Sequence, residues 1–281
     1  MTEQRPGSAP HEDPGPTDGA TPGVDGPPSV PPLVDAQPAA TPFDGGRTVR
    51  QAGMITASLG LVHAVLILVS WALLSTVPRI GDVVTPEAFF DDVDRRRVAL
   101  VGLYLMPFAV IAFIWFEVAL RMWIAGTHRR ANVLLSNVQL VSGIVFVTLF
   151  AASTATTGVS VAAAEWAGTP MDPATAAILP AYGDTLLFVF AIRMAAMFMF
   201  TTTSIARSAD VLPRWFVILG YVLGALLLLS ATFTFWLYLV FPVWLMVLSA
   251  LLFRRARAIP PDLVMPHPTP LLVPYGRLPP P

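Results

Sequence analysis

The sequence predicts an all-α, polytopic transmembrane helix bundle, and three observations predict it. Of 281 residues, 55% are hydrophobic and only 12% charged, with a mean hydropathy of +0.66; soluble domains use roughly 45–50% apolar residues. Apolar runs of about 20 residues, the length that crosses a hydrocarbon core of about 30 Å, recur along the chain. Arginine supplies all seventeen basic residues and gathers in short segments between alternate runs, as in cytoplasmic loops.

The elements follow in order. Residues 1–46 hold eleven prolines, seven acids and one arginine. Such a segment buries too little apolar surface to offset its ordering entropy, and it reads as a disordered cytoplasmic tail. A six-helix domain follows over residues 47–258, its first span at about 52–76. Gly53, Ala57, Gly60 and Ala64 form a stripe of small residues there, with His63 on its edge, which points His63 into the bundle. Thr85, Pro86 and Glu87 read as the start of a short outer helix. Asp91 and Asp92 are expected to pair with Arg95 and Arg96 at i,i+4.

The second span, about 98–123, is kinked at Pro107 and carries Glu117 about 9 Å from its inner end. A helical side chain leans toward the helix N-terminus, which aims Glu117 at the membrane centre. Either it pairs locally with Arg121 at i+4, or it joins Arg121, Ser136, Asn137 and Gln139 of the third span, about 132–155, in a polar cluster opening inward. Residues 158–184, with three acids and no base, read as an outer loop.

The fourth span, about 185–206, carries Arg193 about 12 Å below its outer end. Two readings stand: the guanidinium snorkels outward to headgroups or to Glu165, Asp172 and Asp184, or it lines a polar cavity. The hydroxyl run Thr201 to Ser204 is expected to bond its own helix carbonyls. Residues 213–253 are too long for one span, since about forty residues would reach about 60 Å. A break near residues 230–235 gives a fifth span at 213–230 and a sixth at 235–253, the latter kinked at Pro242. Gly220 and Gly224 form a GxxxG motif, a candidate helix-packing face. Residues 259–281 form a second proline-rich tail, whose PxxP spacing suits an SH3-like groove.

Arginines 47, 50, 121, 129, 130, 207, 214, 254, 255 and 257 fall on one side of this arrangement, so both termini are expected to be cytoplasmic. A net charge of −1 leaves no basic footprint for nucleic acid. The absence of cysteine and lysine excludes disulfides, thiolate metal sites and Schiff-base chemistry. A single histidine within the spans excludes a bis-histidine haem in one chain; no metal and no cofactor is expected. Nothing resembles an HExxH helix or a GxSxG elbow.

The stretch "RMAAMFMFTTTSIARSADVLPRWFVILGYVLG", with Leu212, Pro213, Arg214 and Trp215 opening the fifth span, resembles uncharacterised multi-pass membrane proteins of actinobacteria. The resemblance covers the fourth and fifth spans and implies a bacterial inner (plasma) membrane, without an activity. The first functional expectation is a non-enzymatic membrane protein that joins a homo-oligomer or a membrane-protein partner in the lipid bilayer. The alternative is a small-solute or proton-coupled transporter using Arg193, His63 and Glu117.

Overall fold

A computed structural model describes residues 45–127, 133–169, 171–230 and 235–259. The tails of residues 1–44 and 260–281, with the disorder and the PxxP docking read for them, lie outside the described residues. Gly45 and Gly46 already belong to the first helix, so the body begins two residues before the compositional boundary.

Every element among the described residues is helical. Helix α1 spans Gly45–Leu74. The short α2, Pro86–Asp91, starts as its sequence requires: Thr85 is the N-cap, accepting from the Ala88 N–H, and Pro86 follows where no donor is needed. Helices α3, Val93–Thr127, and α4, Val133–Trp166, are 35 and 34 residues long. The expected outer loop is therefore much shorter. The run Ala162 to Ala164 carries α4 on to Trp166, and Asp172 with Pro173 starts a new helix, since alanine's favourable propensity and a side-chain cap outweigh the polar character of the segment.

Helix α5, Pro173–Thr185, runs through a π-helical segment, Leu186–Ala191, into α6, Ile192–Ser208. Helix α7, Arg214–Leu229, has 16 residues, and α8 spans Phe235–Ala258. Five helical stretches are long and apolar enough to cross a membrane; the fifth of the expected spans, α7, is the shorter apolar helix. Its length of about 24 Å stops short of a hydrocarbon core of about 30 Å.

Helix α1 packs along α3 and α8, α4 packs against α3, α5 and α6, and α6 packs against α7. The order α8, α1, α3, α4, α6, α7 makes a ring, closed by the Phe216 ring of α7 stacked on Trp244 of α8 at 5.7 Å. Its axis is filled. Phe113 lies 5.6 Å from Phe146 and 5.4 Å from Phe198, and Phe241 reaches Phe146 at 4.5 Å. Aromatic rings at such offsets contribute beyond the area they bury.

One end of the bundle, here the Asp184 end, is clasped by ion pairs. Arg79 meets Asp184 at 3.0 Å and Arg96 meets Glu165 at 2.6 Å. Arg96 thus turns away from the expected i,i+4 pairing with Asp92. Arg95 takes Asp92 at i,i+3, 3.0 Å, because Asp92 caps the first turn of α3, accepting from the N–H groups of Asp94 and Arg95. At the opposite, Arg255 end, Arg255 donates to the Val211 carbonyl at 2.9 Å.

Candidate functional site

Glu117 is a buried carboxylate in the bundle. Its residue is 1% exposed, and neither carboxylate oxygen has a hydrogen-bond partner. The α3–α4 hairpin makes the room. Gly143 of α4 faces the carboxylate so closely that a Cβ there would stand 2.5 Å from each oxygen. Glu117 lies ten residues before the end of α3 at Thr127, and Gly143 ten residues after the start of α4 at Val133. The two are therefore at equal depth in an antiparallel pair, a signal legible in the sequence and missed there.

Of the expected inward cluster, the Arg121–Asn137 contact forms, while Glu117 makes no hydrogen bond to either and Gln139 turns to another helix. Arg121 reaches across to Asn137 instead, Nη2 donating to Oδ1 at 2.9 Å on the exposed side of the hairpin. Gln139 is buried and donates to Thr202 of α6 at 2.8 Å. The shorter, buried Glu117 side chain cannot follow Arg121 to the surface, whereas the long guanidinium stem can.

His63 is fully buried, as the small-residue stripe implied. A carbonyl only accepts, so Nδ1–H donates to the Ala109 oxygen, 2.8 Å away on α3. The ring lies 4.7 Å from Phe113, and Nε2 has no partner. His63 thus borders the aromatic axis at Phe113, and Glu117 lies one turn further along α3 toward the Arg255 end.

Arg193 leans toward the Asp184 end, as the snorkelling reading expects, but ends on backbone carbonyls and not on the named acids. Its Nη1 donates to the Phe188 carbonyl, inside the π-helical segment, and its Nη2 donates to the Ser230 carbonyl at 2.5 Å, at the C-terminus of α7. Glu165 and Asp184 are held by Arg96 and Arg79. The guanidinium is a helix-end clamp: α7 stops early, its last carbonyls and negative macrodipole end need a donor, and Arg193 brings charge and geometry together. A π turn displaces the ladder from i−4 to i−5, as in Ile192 N–H to Leu187, and such turns recur at functional positions.

The hydroxyl run divides its bonds. Thr201 bonds the Met197 carbonyl of its own helix at 2.8 Å, but Ser204 meets the Tyr221 hydroxyl at 2.9 Å across α6–α7. Gly220 is consumed by the same packing, since a Cβ there would collide with Thr203 Oγ1; at Gly224 a Cβ would lie 3.3 Å from the Phe200 ring. The GxxxG face thus joins helices within one chain.

Among the described residues, no group of three or more His, Cys, Asp or Glu side chains could hold a metal ion. Compared with known proteins, the chain matches no family model, no curated protein and no solved structure.

Proposed function

We propose that this membrane protein is a proton-coupled carrier of small solutes, with Glu117 as its proton site. The supporting observation is a carboxylate 1% exposed and without a hydrogen-bond partner in the middle of a helix bundle. Intramembrane acids are costly and mark proton and ion routes. One carboxyl without neighbouring oxygen ligands has the capacity for a proton, and lacks the six or more oxygens that calcium or magnesium takes. The exposed Arg121–Asn137 pair lies one turn nearer the Arg255 end and offers an approach from that side. The rings of Phe113, Phe146 and Phe241 close the axis beyond Glu117, so transfer to the other side requires them to repack.

The assembly reading is weaker, since its GxxxG face is used inside the chain. We place the protein in a plasma membrane with the Arg255 end cytoplasmic. Arginines 79, 95 and 96 of the Asp184 end are paired with acids, which leaves Arg97 there against the larger group of arginines at the other end.

The test is reconstitution into liposomes holding a pH-sensitive dye, with an imposed proton gradient and a panel of solutes. Wild type is expected to acidify the lumen when a transported solute is supplied, and Glu117→Gln to abolish that coupling. Undiminished coupling in Glu117→Gln would remove Glu117 from the mechanism.

A further inference from the structure

The turn between α6 and α7 carries a separate feature that does not depend on Glu117. Helix α6 closes with Asp210 at a left-handed φ of 47°, its N–H returning to Arg207 at 3.2 Å and the Val211 N–H to Ala206 at 3.0 Å. This double return is a Schellman closure, in which Asp is one of the few residues that tolerates the left-handed position. Arg255 of α8 braces the turn by donating to the Val211 carbonyl.

The braced turn frames a cavity of about 480 Å³ lined by Arg207, Asp210, Leu212, Arg214, Val217 and Ile218, within the size range of small-molecule sites. Both arginines are exposed, and among the described residues neither guanidinium has a hydrogen bond or ion pair. The lining changes along its length. Charged groups stand at the helix ends, and one turn along α7 come Val217 and Ile218, the latter 63% exposed on the flank of an apolar helix.

We propose that this cavity binds the headgroup of an anionic phospholipid that carries one phosphodiester charge and free hydroxyls, the chemistry of phosphatidylglycerol. Two arginines and one aspartate leave one net positive charge, which matches a single phosphodiester. The guanidiniums bind the phosphate oxygens. Asp210 accepts from the headgroup hydroxyls and repels a second negative charge. Val217 and Ile218 meet the first acyl carbons, a surface that a free phosphate ion cannot use. Basic pockets between membrane helices on the cytoplasmic side are suited to such headgroups.

The experiment titrates the full chain in neutral detergent with short-chain phosphatidylglycerol, phosphatidic acid, phosphatidylcholine and inorganic phosphate, counting bound molecules by native mass spectrometry. Phosphatidylglycerol is expected to bind in preference to the other three. Arg207→Gln with Arg214→Gln should weaken it about thirty-fold, from about fivefold for each charge removed near the surface. Arg254→Gln, at an exposed arginine of the same end outside the cavity, should leave affinity unchanged, and an unchanged unfolding temperature in phosphatidylcholine shows that the double variant is folded. Equal binding of phosphatidic acid, saturation by inorganic phosphate, or full affinity in the double variant would each overturn the proposal.

Discussion

A methyl group added at residue 143 would stand 2.5 Å from both oxygens of Glu117, and the carboxylate, 1% exposed, has little room to retreat. Gly143→Ala should therefore destabilise the protein by about 1–3 kcal/mol, the usual cost of overpacking. Because the collision is with one side chain, Glu117→Ala in the same molecule should relieve most of it. Unfolding curves of the four proteins, in nanodiscs, would read a coupling of about 1 kcal/mol or more; strictly additive losses would mean that the two residues do not press on each other. The sequence marks Glu117, His63 and Arg193 as anomalies because a charge or an imidazole in an apolar run is costly wherever it points. Their partners are not written there. Whether Glu117 meets Arg121, Asn137 or a glycine depends on helix rotation and hairpin register, which small differences in packing decide.

Helix α7 ends inside the depth that its neighbours cross, and its closing carbonyl at Ser230 is taken by Arg193. Arg193→Leu would leave the Ser230 carbonyl and that of Phe188 without this donor, with an expected loss of about 2–3 kcal/mol. Arg193→Lys should recover part of that, because an ammonium keeps the charge but lacks the planar fork that reaches two carbonyls at once. Thermal unfolding in lipid nanodiscs, with amide exchange over the last turn of α7, would measure both. Unchanged stability and unchanged exchange in Arg193→Leu would dismiss the clamp. At this scale the sequence is readable for position more than for length: each of the six expected spans lies within or along a helix, but α4 and the α5–α6 helix run about ten residues past their expected ends, and the Thr85–Pro86 start of α2 was plain. The interval 158–184 misled because three acids and no base suggest an outer loop, while Asp172 in fact serves as a cap that starts a helix. The π-helical segment leaves no local signature, since it is a defect in hydrogen bonding and not in composition.

The whole bundle has two unlike ends, one clasped by Arg79–Asp184 and Arg96–Glu165 and the other rich in arginine and, among the described residues, without such clasps. Because the chain has no cysteine, single cysteines report sidedness directly. In intact cells Val83→Cys, at a fully exposed position of the Asp184 end, should react with an impermeant maleimide, and Ala258→Cys only after permeabilisation. The reverse pattern would invert the proposed orientation. The all-helical class was legible because an apolar chain in lipid must satisfy its backbone internally. The ring order was not, since it rests on contacts between helices distant in sequence, such as the Tyr238 hydroxyl donating to the Ile67 carbonyl at 2.6 Å. The shortness of α7 also reaches outward into the lipid. Its flank, with Ile218, Val222 and Leu226 exposed, offers about 24 Å of apolar height, while α3 and α4 offer more than the hydrocarbon thickness. Hydrophobic mismatch then has opposite signs on different sides of one molecule. The surrounding leaflets must thin beside α7 and thicken or meet tilted helices elsewhere, so the protein's stability is tied to acyl-chain length as well as to headgroup.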